Sequence, residues 1–241
     1  MQIPRNTSEA SEVYSSEDAL ESYVEHAKKG LFPTEANLVD RYFRPCSARV
    51  LDVGCGTGRT TKPLTDKGYD VVGVDISPGM ITTAKDEHPG VEFYVGDATA
   101  LPFSSDSFEF ALFPGLNIDI FHPRSKRLTA LREVRRVLKP GGILIISAGN
   151  SLYLLGSLFR RKIELFFRFY VRNGNYKRLF KSYKRDHQEW GLDRHFSTPL
   201  RHVHEFRKCG FSIEKIGKRE FPARYVEKDM YYVLRKSGER K

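Results

Sequence analysis

Short apolar runs alternate with longer polar stretches through the middle of the chain. Five of these runs are four to six residues long, which is typical of buried strands. They occupy residues 50–53, 71–74, 92–95, 108–113 and 143–146. Between the last two, Leu128, Leu131 and Val134 recur at the spacing of an amphipathic helix over residues 125–138. The alternation predicts an open α/β fold, with a parallel sheet between helices.

Both ends of the chain add elements to this core. Residues 8–43 predict one or two helices, broken near Gly30 and Pro33. Further along, residues 199–208 predict another helix, residues 210–216 a sixth strand and residues 231–234 a short last strand. At 241 residues, the chain fits a single domain of this open type.

The first apolar run leads into a turn with glycine at every second position. Its sequence is Val50-Leu51-Asp52-Val53-Gly54-Cys55-Gly56-Thr57-Gly58. Glycines free the dihedrals of a sharp turn and remove Cβ atoms where a ligand must approach the backbone. The following helix directs its free N–H groups and the positive end of its dipole at that ligand. A dinucleotide site prefers G-x-G-x-x-G, but Arg59 stands where the last glycine would fall, so the turn favours a mononucleoside.

Acidic residues end the next two predicted strands. Asp75 lies at the tip of the second strand, about 20 residues beyond the turn, where an acid binds ribose hydroxyls. An isolated acid there would more simply be solvated, but the preceding glycine turn favours the binding role. Asp97 and Ala98 follow the third strand. The carboxylate can accept from an exocyclic amine and the Ala98 N–H can reach a ring nitrogen, so the pair would recognise adenine.

Four stretches match one family in order and spacing: residues 51–58, 73–77, 96–103 and 138–142. In them the chain resembles the class I S-adenosylmethionine-dependent methyltransferases, particularly the small-molecule branch with the ubiquinone and menaquinone methyltransferases. The resemblance implies a doubly wound, Rossmann-like α/β sheet of seven strands in the order 3-2-1-4-5-7-6, with the last strand antiparallel. It also implies a single domain (1–241) with four parts. The first two are an N-terminal helical cap (1–47) and a cofactor-binding core (48–148). A basic, aromatic and helical lid insert follows strand 5 (149–196), and a C-terminal helix with strands 6 and 7 ends the domain (197–241).

The resemblance also implies the residues that bind S-adenosyl-L-methionine. They are Tyr23, Asp52, Gly54, Cys55, Gly56, Gly58, Asp75, Ile76, Asp97 and Ala98. The glycines would line the methionine and ribose portion, with Cys55 as a small filler, and Asp52 would hold the methionine end directly or through water. Asp75 would hold the ribose diol, and Ile76 would pack on adenine. Tyr23 would come from an N-terminal helix that closes over the cofactor; a tyrosine half-buried against the sheet is the alternative.

Catalysis needs few side chains in this chemistry. Methyl transfer from a sulfonium is an in-line displacement with a good leaving group, so alignment supplies much of it. A base is needed only when the attacking atom of the acceptor carries a proton. The catalytic residue is therefore unknown, with His195, His122 and Asn117 as candidates and Asp119 next. Each histidine has the simpler interpretation of an ordinary loop residue, and no metal is expected because the histidines form no ligand set.

The insert is the most basic part of a chain whose formal net charge is +10. Residues 151–195 hold eleven Lys and Arg against four Asp and Glu, with ten aromatic residues among them. Three interpretations stay open. The insert is a helical lid with a solvated basic face, a surface for RNA or an acidic small substrate, or an amphipathic element resting on an anionic membrane surface.

The predicted function is methyl transfer to a small organic acceptor, anionic or amphipathic. Methylation of tRNA or rRNA is the alternative enzyme function, and a non-catalytic cofactor-binding partner protein is the alternative without turnover. Three widely spaced cysteines, Cys46, Cys55 and Cys209, predict reduced thiols and a cytoplasmic location. No apolar run approaches the roughly 20 residues of a membrane span, and the polar, acidic first residues do not resemble a secretion signal.

Overall fold

Seven strands form one mixed sheet at the centre of the fold. The computed structural model describes residues 11–156, 164, 167, 171, 183–187, 192–217, 227 and 229–238. Its strands are β1 (Arg49–Val53), β2 (Asp70–Asp75), β3 (Glu92–Val95), β4 (Phe108–Phe113), β5 (Leu138–Gly149), β6 (Tyr183–His187), β7 (Leu192–Phe196), β8 (Phe211–Ile216) and β9 (Asp229–Lys236). The sheet order is β3-β2-β1-β4-β5-β9-β8, with β9 antiparallel to both neighbours. Because β8 and β9 are the sixth and seventh core strands, the predicted order is confirmed.

Helices flank the sheet, and two of them begin at capping side chains. The helices are α1 (Glu17–Ala27), α2 (Pro33–Tyr42), α3 (Thr61–Asp66), α4 (Pro78–Glu87), α5 (Arg124–Val137), α6 (Ser151–Gly156) and α7 (Pro199–Lys208), with a 3-10 turn at Asn117–Ile120. The side chains of Ser77 and Thr198 accept hydrogen bonds at the starts of α4 and α7, each just before a proline. Gly30, with a φ of +60°, lies between α1 and α2 and confirms the predicted break.

Both faces of the sheet are buried, which explains why its central strands are apolar throughout. In β1, Val50 belongs to one apolar cluster, whereas Leu51 and Val53 belong to another. This division follows from the alternation of side chains along a strand. One cluster includes residues of α5 and α7, and the other includes Leu38 and Val39 of α2. The helices therefore hold the sheet rigid beneath the edge where its strands end.

The start of β5 differs from the prediction. The stretch 139–142 predicts a helix stop, with a strand from residue 143. Helix α5 does end at Val137, but β5 begins at once with Leu138, which pairs with Phe108. A Cβ atom at Gly142 would lie 2.9 Å from the carbonyl oxygen of Glu109 in β4. Gly142 is therefore needed for the close approach of two strands.

The insert contains a β-hairpin that its sequence does not predict. Strands β6 and β7 pair antiparallel, with Tyr183 opposite Phe196. Ser197 then returns the chain to the end of β5 through backbone hydrogen bonds with Gly149 and Ser151. The hairpin strands are mostly polar and charged, so no alternation of apolar and polar positions marks them. Helix α6 agrees with the prediction of a helical insert. Most of the rest of the insert lies outside the described residues, so the prediction is not tested there.

The cysteines and helices bear on the predicted location without testing it. All three cysteines are free thiols, Cys46 exposed and Cys55 and Cys209 buried. Among the helices that the structure describes, none is long and apolar enough to cross a membrane. The cytoplasmic location, the domain boundaries and the division into parts remain predictions.

Candidate functional site

A crevice lies at the carboxyl ends of β1, β2 and β4, where the strand order reverses on the two sides of β1. Open α/β sheets bind their ligands at such switch points. With the space at its mouth included, the crevice encloses about 720 Å³. Residues along its walls include Tyr14, Tyr23, Gly54, Gly56, Asp75, Ile76, Met80, Asp97, Ala98, Phe113, Asn117 and Phe121. Seven of the ten predicted cofactor-binding residues therefore meet in one place.

The glycine turn forms the floor of this crevice. Gly54 and Gly56 have φ angles of +69° and +54°, which favour glycine. A Cβ atom at Gly54 would also lie 2.5 Å from the side-chain Nδ2 of Asn117. That Nδ2 donates a hydrogen bond to the Gly54 carbonyl oxygen at 3.0 Å. Asn117, predicted as a catalytic candidate, therefore lies in the crevice, and its amide holds the turn in place.

Asp75 and Asp97 bring two carboxylates to one end of the crevice. Asp75 accepts backbone N–H bonds from Gly56 and Ser77, each at 3.0 Å. Burial raises the pKa of Asp75, and the two N–H donors partly oppose that rise. Asp97 accepts from the Thr99 backbone at 2.8 Å. Beside these acids the crevice presents apolar surface, so this end offers acceptors for hydroxyls and amines next to a wall for a flat ring.

Two tyrosines from the N-terminal segment cover the crevice. The rings of Tyr14 and Tyr23 meet edge to face, with centroids 5.7 Å apart. Burial raises the pKa of both phenols, so both stay neutral at physiological pH. The hydroxyl of Thr57 donates to the Tyr23 carbonyl oxygen at 3.0 Å and ties α1 to the glycine turn. Tyr14 and Tyr23 both line the crevice, and contact of Tyr23 with the cofactor stays a prediction.

Asp52 does not line the crevice. Its side chain is fully buried, and its Oδ2 accepts hydrogen bonds from the hydroxyls of Thr60 and Thr61 at 2.6 and 2.7 Å. Burial raises its pKa to about 6. Its Oδ1 has no hydrogen-bond partner among the described residues. The contacts present therefore join the end of β1 to the start of α3, and direct contact with the methionine end is not supported.

Gly58 and Cys55 also lie apart from the crevice. Gly58 has a φ of +93°, and a Cβ atom there would lie 2.5 Å from Cδ2 of His88. It lines a separate groove, so its predicted contact with the methionine portion is not supported. The reason is the backbone path, which turns away after Gly56 towards α4. The Cys55 thiol is buried, and burial raises its pKa well above the ordinary range, which agrees with an inert filler.

A second cavity, the polar chamber, adjoins the crevice on the other side of the glycine turn. It is lined by Ser22, Tyr23, His26, Phe32, Gly54, Cys55, Gly56, Thr57, Arg59, Thr60, Pro114, Gly115, Asn117 and Arg194. The crevice and the polar chamber share Tyr23, the glycines and Asn117. Within the described part of the chain, the lining includes two arginines but neither Asp nor Glu. The two cavities thus differ in charge, with acids in the crevice and cations in the chamber.

The two histidine candidates lie outside both cavities. His122 and His195 are buried side by side, with ring centroids 5.6 Å apart. Burial and the nearby guanidinium of Arg127 push the pKa of His195 far below its usual range. A neutral imidazole that resists protonation is a poor proton acceptor. His195 is therefore not placed to act as a base in the crevice, and the structure does not bring His122 there either.

Asp119 is a buried carboxylate between two residues of the crevice wall, Asn117 and Ile120. It is fully buried in the 3-10 turn, and its Oδ2 accepts from the Gly149 backbone at 2.6 Å. Burial raises its pKa to about 7. It joins the β4 loop to the end of β5 and was expected only after Asn117 as a candidate. No group of three or more His, Cys, Asp or Glu within the described ranges is positioned to hold a metal ion.

The core of the chain is similar to known methyltransferases. A methyltransferase domain model matches residues 50–142, the segment that carries the glycine turn, Asp75 and Asp97. A demethylmenaquinone methyltransferase from Renibacterium salmoninarum is 42% identical over 99 residues, which are 41% of this chain and 40% of that protein. A bifunctional biotin biosynthesis protein from Cellvibrio japonicus is 41% identical over 100 residues, 41% of this chain and 19% of that protein. The similarity covers the core, and the chain spans well under two thirds of the length of these relatives.

A solved structure extends the likeness beyond the core. An S-adenosylmethionine-dependent methyltransferase from Methanosarcina mazei superposes with a TM-score of 0.66 at 26% identity, over 87% of this chain and all of that one. The sheet order is that of the Rossmann-like methyltransferase fold, with the glycine turn and two acids at the strand ends beside its crevice. Residues 50–142 thus form a methyltransferase domain, and over this core the chain is similar to class I S-adenosylmethionine-dependent methyltransferases of the menaquinone type.

Proposed function

We propose that this chain transfers a methyl group from S-adenosylmethionine to a small organic acceptor. One observation carries the proposal: Gly54, Gly56, Asp75 and Asp97 line a single crevice at the switch point of the sheet. The methyltransferase domain match covers these same residues. The bound cofactor would supply a methyl group activated by a sulfonium, whose transfer depends mainly on alignment.

The residues of the crevice fit the adenosine end of that cofactor. The two carboxylates suit ribose hydroxyls and an exocyclic amine, and Ile76 and Ala98 border the apolar wall. Gly54 and Gly56 leave the floor free of side chains where a ligand must approach. Tyr23 covers the top. Asp52 acts here as a positioning residue, because it fixes the start of α3 behind the turn.

For the acceptor we propose an amphipathic aromatic compound of the quinol type. Phe113 and Phe121 face the crevice beside Asn117, and their rings lie 6.3 Å apart in an edge-to-face pair. Such a wall suits a ring with few charges. The demethylmenaquinone methyltransferase among the relatives supports this class. The relatives reported above give no support to an RNA or membrane partner, and most of the basic insert lies outside the described residues.

Turnover with a labelled cofactor tests the proposal. The purified chain is incubated with S-adenosylmethionine carrying a tritiated methyl group and with two separate pools, total RNA and an organic-solvent extract of metabolites. We expect label in the extract alone, and none with Asp75→Asn at the same cofactor concentration. Label confined to RNA would contradict a small acceptor. Absence of transfer together with cofactor binding would favour the non-catalytic alternative.

A further inference from the structure

The two arginines of the polar chamber differ in what they bind. Arg59 makes a bidentate ion pair with the buried carboxylate of Glu35, at 2.7 and 2.9 Å. Its third contact is the carbonyl oxygen of Gly30 at 2.7 Å. Arg194 forms no ion pair with any residue that the structure describes. The chamber therefore has one neutralised cation and one cation that is not neutralised.

Arg194 reaches the chamber from the insert. It lies on β7, and its Nη1 donates to the Gly115 carbonyl oxygen, just after β4, at 3.2 Å. Its Nε is buried and has no hydrogen-bond partner within the described part of the chain. A buried charged donor without a partner is costly, and a guanidinium offers paired donors that match a carboxylate. The side chain is thus held at Gly115 and beside Tyr14, and its Nε remains free to bind.

The charges around the two cavities favour an anion beside Arg194. Asp75 and Asp97 line the crevice, whereas no acid among the residues that the structure describes lines the chamber. The nearby Tyr14 stays neutral because burial raises its pKa, despite the opposing effect of Arg194. Arg59 and Thr60, just before α3, also line the chamber, but Glu35 already neutralises Arg59. Among the described lining residues, Arg194 is therefore the arginine without an ion pair, and it is placed to bind an anion.

We propose that Arg194 is an anion-binding residue of the active site, supplied by the insert, and that it takes a carboxylate at the chamber end of the bound ligands. This inference rests on the proposed function. The carboxylate comes either from the amino-acid end of the cofactor or from an anionic acceptor. In both cases the insert contributes directly to binding, beyond covering the core.

Calorimetry with Arg194→Met tests this inference. The ligands are S-adenosylhomocysteine, 5′-methylthioadenosine, which lacks the amino-acid end, and 1-hydroxy-2-naphthoate added to the homocysteine complex as an anionic aromatic probe. If the cofactor supplies the carboxylate, the variant binds S-adenosylhomocysteine about 10- to 100-fold more weakly and 5′-methylthioadenosine equally well. If the acceptor supplies it, only naphthoate binding is lost. Arg194→Lys should restore part of either loss.

Controls separate failure of this inference from failure of the proposed function. Arg207→Met removes the same charge from an exposed position at the end of α7 and should leave all three affinities unchanged. Unchanged affinities in Arg194→Met, or an equal loss for all three ligands, would overturn the role of Arg194. If the unmodified chain binds neither nucleoside, the proposed function fails first, and the inference fails with it.

Discussion

The core and the insert of this molecule follow from their sequences to very different degrees. In the core, β3 and β4 begin and end at the predicted residues, and seven predicted cofactor-binding residues meet in one crevice. In the insert, a hairpin of mostly polar residues lies where helix was expected, and one of its arginines enters the polar chamber. Local sequence patterns therefore predict the residues that line the crevice. The contribution of the insert to the chamber instead depends on contacts between residues distant in sequence.

The largest expected effect concerns Asp52, a carboxyl group buried in the core whose pKa is raised by that burial. The pKa of Asp52 is raised from its ordinary 3.8 to about 6, so the folded state holds this proton more tightly than the unfolded chain. The contribution of this group to stability is therefore greatest below pH 4 and falls as the pH rises towards 6, by about 3 kcal/mol. Asp52→Asn keeps an oxygen for Thr60 and Thr61 and should remove that loss.

Urea unfolding of both proteins at pH 4 and pH 7 measures this difference. The variant should gain about 3 kcal/mol relative to the unmodified chain between the two pH values. A constant difference across that range would mean that the Asp52 carboxylate is not buried as the structure has it.

The next effect concerns the acids of the crevice. Asp75→Asn removes the charge and one of two backbone contacts, so we expect S-adenosylhomocysteine to bind about 10- to 100-fold more weakly. Calorimetric titration measures the dissociation constant. Asp70→Asn, at the exposed start of the same strand, is the matched control and should bind normally. Equal affinities in both variants would remove Asp75 from the site.

A smaller effect tests the contact between the glycine turn and Asn117. Gly54→Ala and Gly68→Ala both place alanine at positive φ, but only the Cβ at position 54 meets a neighbour, 2.5 Å away. We expect Gly54→Ala to lower the free energy of unfolding by about 1 kcal/mol more, because it displaces the Asn117 hydrogen bond. Adding Asn117→Ala should abolish the excess. Equal losses in the two single variants would contradict this contact.

The smallest effect belongs to a histidine of the insert. His195→Asn should change the affinity for S-adenosylhomocysteine by less than about twofold, because the side chain lies outside both cavities. Its calorimetric dissociation constant is compared with that of Arg194→Met, one residue away on β7. A large loss in both variants would show that the hairpin acts only as a structural unit.

Physical reasons separate what was predicted from what was missed. The apolar runs are local signals, and the sheet order follows from them together with the family resemblance. The position of Gly58 outside the crevice was not predicted, because sequence spacing does not give the direction in which a backbone turns. Arg194 was not predicted to enter the site, because its partner Gly115 lies 79 residues away in the chain. Such a contact depends on how the insert packs, which no local pattern encodes.

The central claim is that the crevice holds the adenosine end of a sulfonium cofactor. Calorimetric titration of the full chain with S-adenosylhomocysteine at two temperatures tests it most directly, since burial of apolar surface makes the binding heat depend on temperature. We expect one molecule of S-adenosylhomocysteine to bind per chain, with binding weakened by Asp75→Asn and unaffected by Asp70→Asn. A chain that releases no heat at either temperature would contradict it.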